Sequence, residues 1–319
     1  MNKRLDDYKN LLNSIYGEEV TDFLTKISNG KELQLISFKD NLKEFLDFKR
    51  DTSTDCNECI KKKKYIPQEL KKTTFFKNKI MEFPCWHTDH PLDFSKDSVK
   101  KYMIIGKDPG PDIRSDIHSA YELNLFDLDK EQNNIMDEFK EIVKNPSYID
   151  YTIHSNSSKG AKLFPYLKNL FLDKYDNLLK SLYITDVCKC LFGYEGENKG
   201  RDVAVRNFCF QECGIKEIEI IKPKLIIFQG DDGCESFSKF AKKREEIKID
   251  NKKEIVNKYF DQNIQDMGIK NRMFGHISIN GQQIKFIKIY HSSKLNYPTE
   301  KRKISLKAYQ KLIQNEINI

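Results

Sequence analysis

The chain has 319 residues and a mass of 37.6 kDa, enough to bury a full three-layer core, so one domain with an added helical segment accounts for the length as well as two do. Hydrophobic residues make up 39% and charged residues 32%, which excludes a disordered chain, and no run approaches the roughly 20 apolar residues that cross a bilayer. The net charge of +7 is compatible with a basic groove for a phosphate backbone, although the lysine codons of an AT-rich genome give the same balance.

The opening MNKRLDDYKN lacks the apolar core of a secretion signal, so a cytoplasmic protein with no membrane partner is expected. Residues 3–50 read as two or three amphipathic helices, with Leu5, Tyr8, Leu11, Leu12 and Ile15 on one face. This helical extension, 1–50, is expected to cap the core that follows. A lysine-rich connector, 51–100, carries Cys56, Cys59, the run Lys61 to Lys64, and FPCWHTDHP at 83–91; its weak periodicity predicts an irregular segment. From 101 to 319 short apolar runs alternate with helical ones. The runs are YMIIG at 102–106, LYITDVC at 182–188, KLIIFQG at 224–230 and IKFIKIY at 284–290, and helices are expected near 160–173, 203–221, 233–246 and 302–317. Continuous apolar runs between helices are the mark of a parallel sheet covered on both faces. The fold class expected is a three-layer α/β/α sandwich around a four-stranded parallel sheet.

In open parallel sheets ligands bind beyond the carboxyl ends of the strands. The first run is followed by Gly106-Lys107-Asp108-Pro109-Gly110, a tight turn that lets backbone approach a ligand and presents a carboxylate. The last run is followed by His291, Ser292 and Ser293, an imidazole and two hydroxyls at the same edge of the sheet. Such an Asp and His, far apart in sequence, would face one cleft. Eight cysteines in a chain without an export signal point to metal or cluster ligation rather than disulfides.

In order along the chain, GKDPG at 106–110, KGAKLFPYLKNLF at 159–171, YITDVCKC at 183–190, EIEIIKPKLIIFQG at 217–230 and IYHSS at 289–293 resemble the motifs of the family 4 branch of the uracil-DNA glycosylase superfamily. The resemblance covers residues from about 101 to 300. It implies the uracil-DNA glycosylase fold, DNA as partner, excision of a flipped-out base, and a four-iron four-sulfur cluster on Cys56, Cys59, Cys190 and Cys209. Cys213, one helical turn on, competes with Cys209 for the fourth place. A zinc site from Cys56, Cys59 and Cys85 with His87 or His90 is the alternative.

The sequence departs from family 4 at three points. Asp108 stands where family 4 has no aspartate but family 1, with GQDPY, has the one that orients the attacking water; Asp108 is therefore the candidate catalytic carboxylate, and His291 would stabilise charge on the departing base. Asp186 replaces the asparagine expected to read uracil. An ionised aspartate only accepts hydrogen bonds, so it suits a base that presents an amino group, as cytosine does, and a modified cytosine of phage DNA is the expected target. Ser292 replaces a proline. Gly106, Lys107, Pro109, Gly110, Ser292 and Ser293 are expected to hold substrate, with Leu295 as the wedge that fills the vacated stack and Tyr151 or His154 as the ring under the base.

With no lysine at a nucleophile position in these motifs, a monomeric, monofunctional glycosylase with an antiviral role is expected. The alternatives are uracil excision in host base-excision repair, or a catalytically inactive DNA-binding module.

Overall fold

Strands buried on both faces are the easiest to form from apolar, β-branched runs, and the four runs become four adjacent parallel strands. In the computed structural model, which describes residues 2–16, 18, 21–22, 25–35, 92–106, 163–187, 209–242, 244–260, 273–290 and 300–317, the elements run as follows. Helix α1 (Lys3–Tyr16) leads into β1 (Thr25–Ser28), β2 (Glu32–Leu35) and β3 (Leu92–Asp93). Then come β4 (Tyr102–Gly106), α2 (Leu163–Phe171), a 3₁₀ turn at Leu172–Lys174, α3 (Tyr175–Lys180) and β5 (Leu182–Asp186). A π-helical turn at Phe210–Gly214 runs into α4 (Ile215–Ile221), followed by β6 (Leu225–Gln229), α5 (Asp231–Ala241), β7 (Ile247–Asn251) and α6 (Lys253–Tyr259). The chain continues through β8 (Phe274–Ile279), β9 (Gln282–Ile289) and α7 (Glu300–Glu316).

The sheet has six strands in the order β5-β4-β6-β9-β8-β7 rather than four. β5, β4, β6 and β9 are parallel, while β8 and β7 extend the sheet beyond β9 as antiparallel strands. The extra strands escape a search for solid apolar runs because β7 alternates, its residues passing from buried Ile247 to exposed Lys248. The β8–β9 hairpin has an Asn280-Gly281 turn with both residues at positive φ, 50° and 79°, the backbone that a two-residue turn needs to match strand twist.

Helices cover both faces. Alternate residues of β4, Met103 and Ile105, join α1, α4 and α5 in one apolar cluster; Tyr102 and Ile104 join α2, α3, α6 and α7 in the other. Among the described residues no helix is long and apolar enough to cross a membrane.

The N-terminal region departs from the all-helical expectation. α1 forms on the predicted face, but Thr25–Leu35 is a hairpin turning at Asn29 and Gly30, and β2 pairs with β3 from the presumed connector. Nor is α1 an appendage. Leu5, Tyr8, Leu11, Leu12 and Ile15 are all buried in the same cluster as Met103 and Tyr183, each contributing about 1.5–3 kcal/mol of apolar transfer free energy. Arg4 fixes the helix end on: its Nε and Nη2 donate to the Ile220 and Ile221 carbonyls at 2.8 and 3.0 Å, placing a cation on the last turn of α4, where the helix dipole favours it. α1 therefore caps the sheet as an integral part of its core.

Candidate functional site

Among the parallel strands the spatial order is second, first, third, fourth in the chain. The connection β4 to β5 carries α2 and α3 on one face, and the connection β5 to β6 returns with α4 on the other. The switch point of the sheet thus lies between β4 and β6; in open α/β sheets ligands bind beyond the carboxyl ends of the strands at such a point.

Three residues end the strands there. Gly106 of β4 pairs in register with Asp186 of β5, and Gln229 ends β6. By strand alternation all three share the face of Tyr102, Ile104, Ile184 and Ile227. A Cβ at Gly106 would collide with Asp186 Oδ1 and lie 3.6 Å from Gln229 Oε1. The glycine leaves room for a close approach: the Asp186 carboxylate and the Gln229 carboxamide both lean over its Cα. The Val187 amide donates to the Gly106 carbonyl at 3.0 Å, which holds the end of β5 to β4. The next turn is equally constrained, since Gly230 sits at φ 82° and its amide donates to the Ile289 carbonyl at 2.9 Å. α5 then starts close to β4, a Cβ on Gly233 meeting the Ile105 and Gly106 carbonyls at 3.4 and 3.6 Å.

Beneath Asp186, on the opposite face of β5, lies a buried polar network. Glu217 of α4 is fully buried; Tyr183 Oη donates to its Oε1 at 3.0 Å and Thr185 Oγ1 to its Oε2 at 3.1 Å. With the Tyr183 proton committed to Glu217, the Tyr8 hydroxyl of α1 is the donor in its 2.9 Å contact with Tyr183. One carboxyl group therefore ties α1, α4 and the two residues of β5 that flank Ile184, immediately before Asp186.

Past β6 lies a second charged contact. Lys288 Nζ of β9 donates to Asp231 Oδ1 at 2.7 Å, with the lysine side chain only 3% exposed but the aspartate 37%. Unequal burial predicts unequal mutational costs. Asp231→Ala removes the carboxylate paired with a buried ammonium and is expected to cost about 3 kcal/mol, whereas Lys288→Met leaves a hydrated carboxylate and should cost under about 1 kcal/mol; urea unfolding of both variants checks the order. Next to this pair, burial pushes the Cys234 thiol up to about 11, partly offset by Lys288, which favours the protonated thiol at neutral pH.

Of the other residues singled out in the sequence, Lys107, Asp108, Pro109, Gly110, Tyr151, His154, His291, Ser292, Ser293 and Leu295 lie outside the described residues, as do Cys56, Cys59, Cys85, His87, His90 and Cys190. Their places in the chain follow the described strand ends: Asp108 stands two residues after Gly106, and His291 directly after Tyr290. Tyr290 is buried on the same face as Asp186, beside Tyr166 of α2. The Tyr166 hydroxyl is pushed up by burial; it lies near the Tyr290 backbone but meets full hydrogen-bond geometry with no described group. Cys209 and Cys213 are both buried in the cluster below the sheet, at the start of the π turn and near its end. Their burial does not distinguish one from the other. Among the described residues no three His, Cys, Asp or Glu side chains converge as a metal site.

Sequence reasoning missed Gln229 and Glu217. Gln229 is the last residue of an otherwise apolar run, and Glu217 lies in the pattern EIEII, which reads as a solvated helix face. Compared with known protein families the sequence matches none, and it has no match among curated proteins.

Proposed function

We propose that the chain is a monofunctional DNA glycosylase that removes a modified cytosine from DNA and leaves an abasic site. The observation that carries this reading is the Asp186 carboxylate leaning over Gly106 at the carboxyl ends of parallel strands, beside the switch point of the sheet. It stands together with the ordered motif resemblance, in which the chemical residues Asp108 and His291 directly follow two of these strands. A flipped base bound there would meet Asp186 as an acceptor. Cytosine-type bases offer an N4 amino donor, whereas uracil offers the lone pairs of O4 and would be repelled by an ionised carboxylate.

In this mechanism Asp108 orients a water molecule toward C1′ as the N-glycosidic bond breaks. The bond electrons leave with the base, where His291 stabilises the charge on its carbonyl oxygen, while water gives its hydroxyl to C1′ and its remaining proton, by way of Asp108, to the departed base. The cluster belongs to the same proposal. Cys56, Cys59 and Cys190 with Cys209 or Cys213 would hold it as a tether between the N-terminal segment and the core. A target confined to modified cytosine spares host DNA and fits defence against phage.

The test is a set of duplexes that contain uracil, cytosine, hydroxymethylcytosine or glucosylated hydroxymethylcytosine, with abasic sites revealed by alkali. The wild type is expected to act at the modified cytosines alone, and Asp186→Asn is expected to gain uracil excision by at least about tenfold, the value of one good base-edge contact. Uracil excision by the wild type that Asp186→Asn weakens would overturn the cytosine reading and favour host repair.

A further inference from the structure

Gln229 ends a strand whose other residues, Leu225, Ile226, Ile227 and Phe228, are apolar and at most 1% exposed. A carboxamide at the end of such a run is costly to bury unless it meets a partner. Gln229 as a whole is only 7% exposed. Its Oε1 is held within 4 Å of the position over Gly106 that Asp186 Oδ1 also approaches, on the β6 side of the switch point. Two hydrogen-bonding side chains thus face one another across a residue that has no side chain.

We infer that Gln229 is a specificity-determining residue, its carboxamide pairing with the Asp186 carboxylate across Gly106 to read a donor–acceptor edge of the bound base. This rests on the glycosylase reading above. A carboxylate offers only lone pairs, while a carboxamide also offers two N–H donors. The cytosine edge presents the N4 amino donor next to the N3 acceptor, so Asp186 accepts a hydrogen bond from N4–H while Gln229 Nε2 donates one to N3. Substituents at C5 lie away from this edge, so the pair recognises the cytosine ring and leaves the modification to other contacts.

The test measures kcat and KM for base release from modified-cytosine DNA by the wild type, Gln229→Leu and Gln229→Glu. Melting curves establish that the variants fold. Gln229→Leu, which suits the apolar run, is expected to lower kcat/KM about tenfold to a hundredfold, chiefly through KM, because the contact exists before the bond breaks. Gln229→Glu has the same shape but places a second acceptor against N3. Its activity is expected to fall further at neutral pH and to recover toward pH 5 as the new carboxyl gains a proton it can donate, a profile that Gln229→Leu lacks. A wild type that releases base while both variants match it within twofold overturns this inference and leaves the glycosylase reading standing. A wild type that releases no base from any DNA overturns both.

Discussion

Glu217→Ala is expected to destabilise the protein by about 4 kcal/mol and to lower its melting temperature by about 10 °C, more than any other single change considered. The side chain is completely buried, and its two oxygens accept from Tyr183 and Thr185. Truncation removes the acceptor that the two hydroxyls share in a fully buried site, each lost hydrogen bond costing about 1–3 kcal/mol, and adds a cavity. Glu217→Gln keeps one good acceptor and should recover more than half of the loss. Tyr8→Phe removes only the outermost hydroxyl and should cost about 1 kcal/mol. Thermal unfolding of the three variants gives the ranking. If Glu217→Ala melts within 2 °C of the wild type, the network contributes little to the docking of α1 and α4 on β5.

Gly106→Ala is expected to lower base release by about a hundredfold or more, although the residue itself has no chemical group to contribute. A methyl group on this Cα would occupy the space of Asp186 Oδ1, so either the carboxylate swings aside or the β4–β5 pairing opens at its end. The same overlap makes the change destabilising by about 1–3 kcal/mol, the usual range for overpacking. The collision is with a side chain, which allows a direct check. In an Asp186→Ala background the methyl group has room, so Gly106→Ala should then cost less than about 0.5 kcal/mol, a coupling that a double-mutant cycle measures. Equal costs in the two backgrounds would mean that contacts other than the carboxylate make the glycine necessary.

The sheet was legible in the sequence where strands are buried on both faces and unreadable where they are not. YMII, LYI, LIIF and IKFI have no polar alternation to confuse with a helix, and they supply the four parallel strands. β7 and β8 lie at one side of the sheet, where one face is partly solvated, and Lys248, Asp250, His276 and Ser278 interrupt their apolar residues. The Asn280-Gly281 dipeptide was a readable hairpin signal, and so was Asn29-Gly30, which turns the chain where a second helix was expected. Helix α1 was legible from its stripe of apolar residues, but its partners were not, because a stripe records that a face is buried and not against what.

At the site, Gly106 and Asp186 could be found because they sit at the ends of recognisable runs. Gln229 sits at the end of another, in the stretch EIEIIKPKLIIFQG, where the resemblance assigns it no role. Its interest comes from the register that sets β4 between β5 and β6, which a sequence without its sheet order does not reveal. The π turn at Phe210–Gly214 is likewise hidden in a stretch that reads as regular helix; it contains Cys213 and starts one residue after Cys209.

The most direct test of the central claim is to incubate the protein with DNA containing glucosylated hydroxymethylcytosine and to quantify by mass spectrometry both the free base released and the abasic sites formed. The account predicts equal molar amounts of the two, abolished by Asp108→Asn, with no strand break until alkali is added. DNA that is bound but yields neither free base nor abasic sites, from this or any other base, would contradict the account and make the chain a nucleic-acid-binding module built on the same sheet.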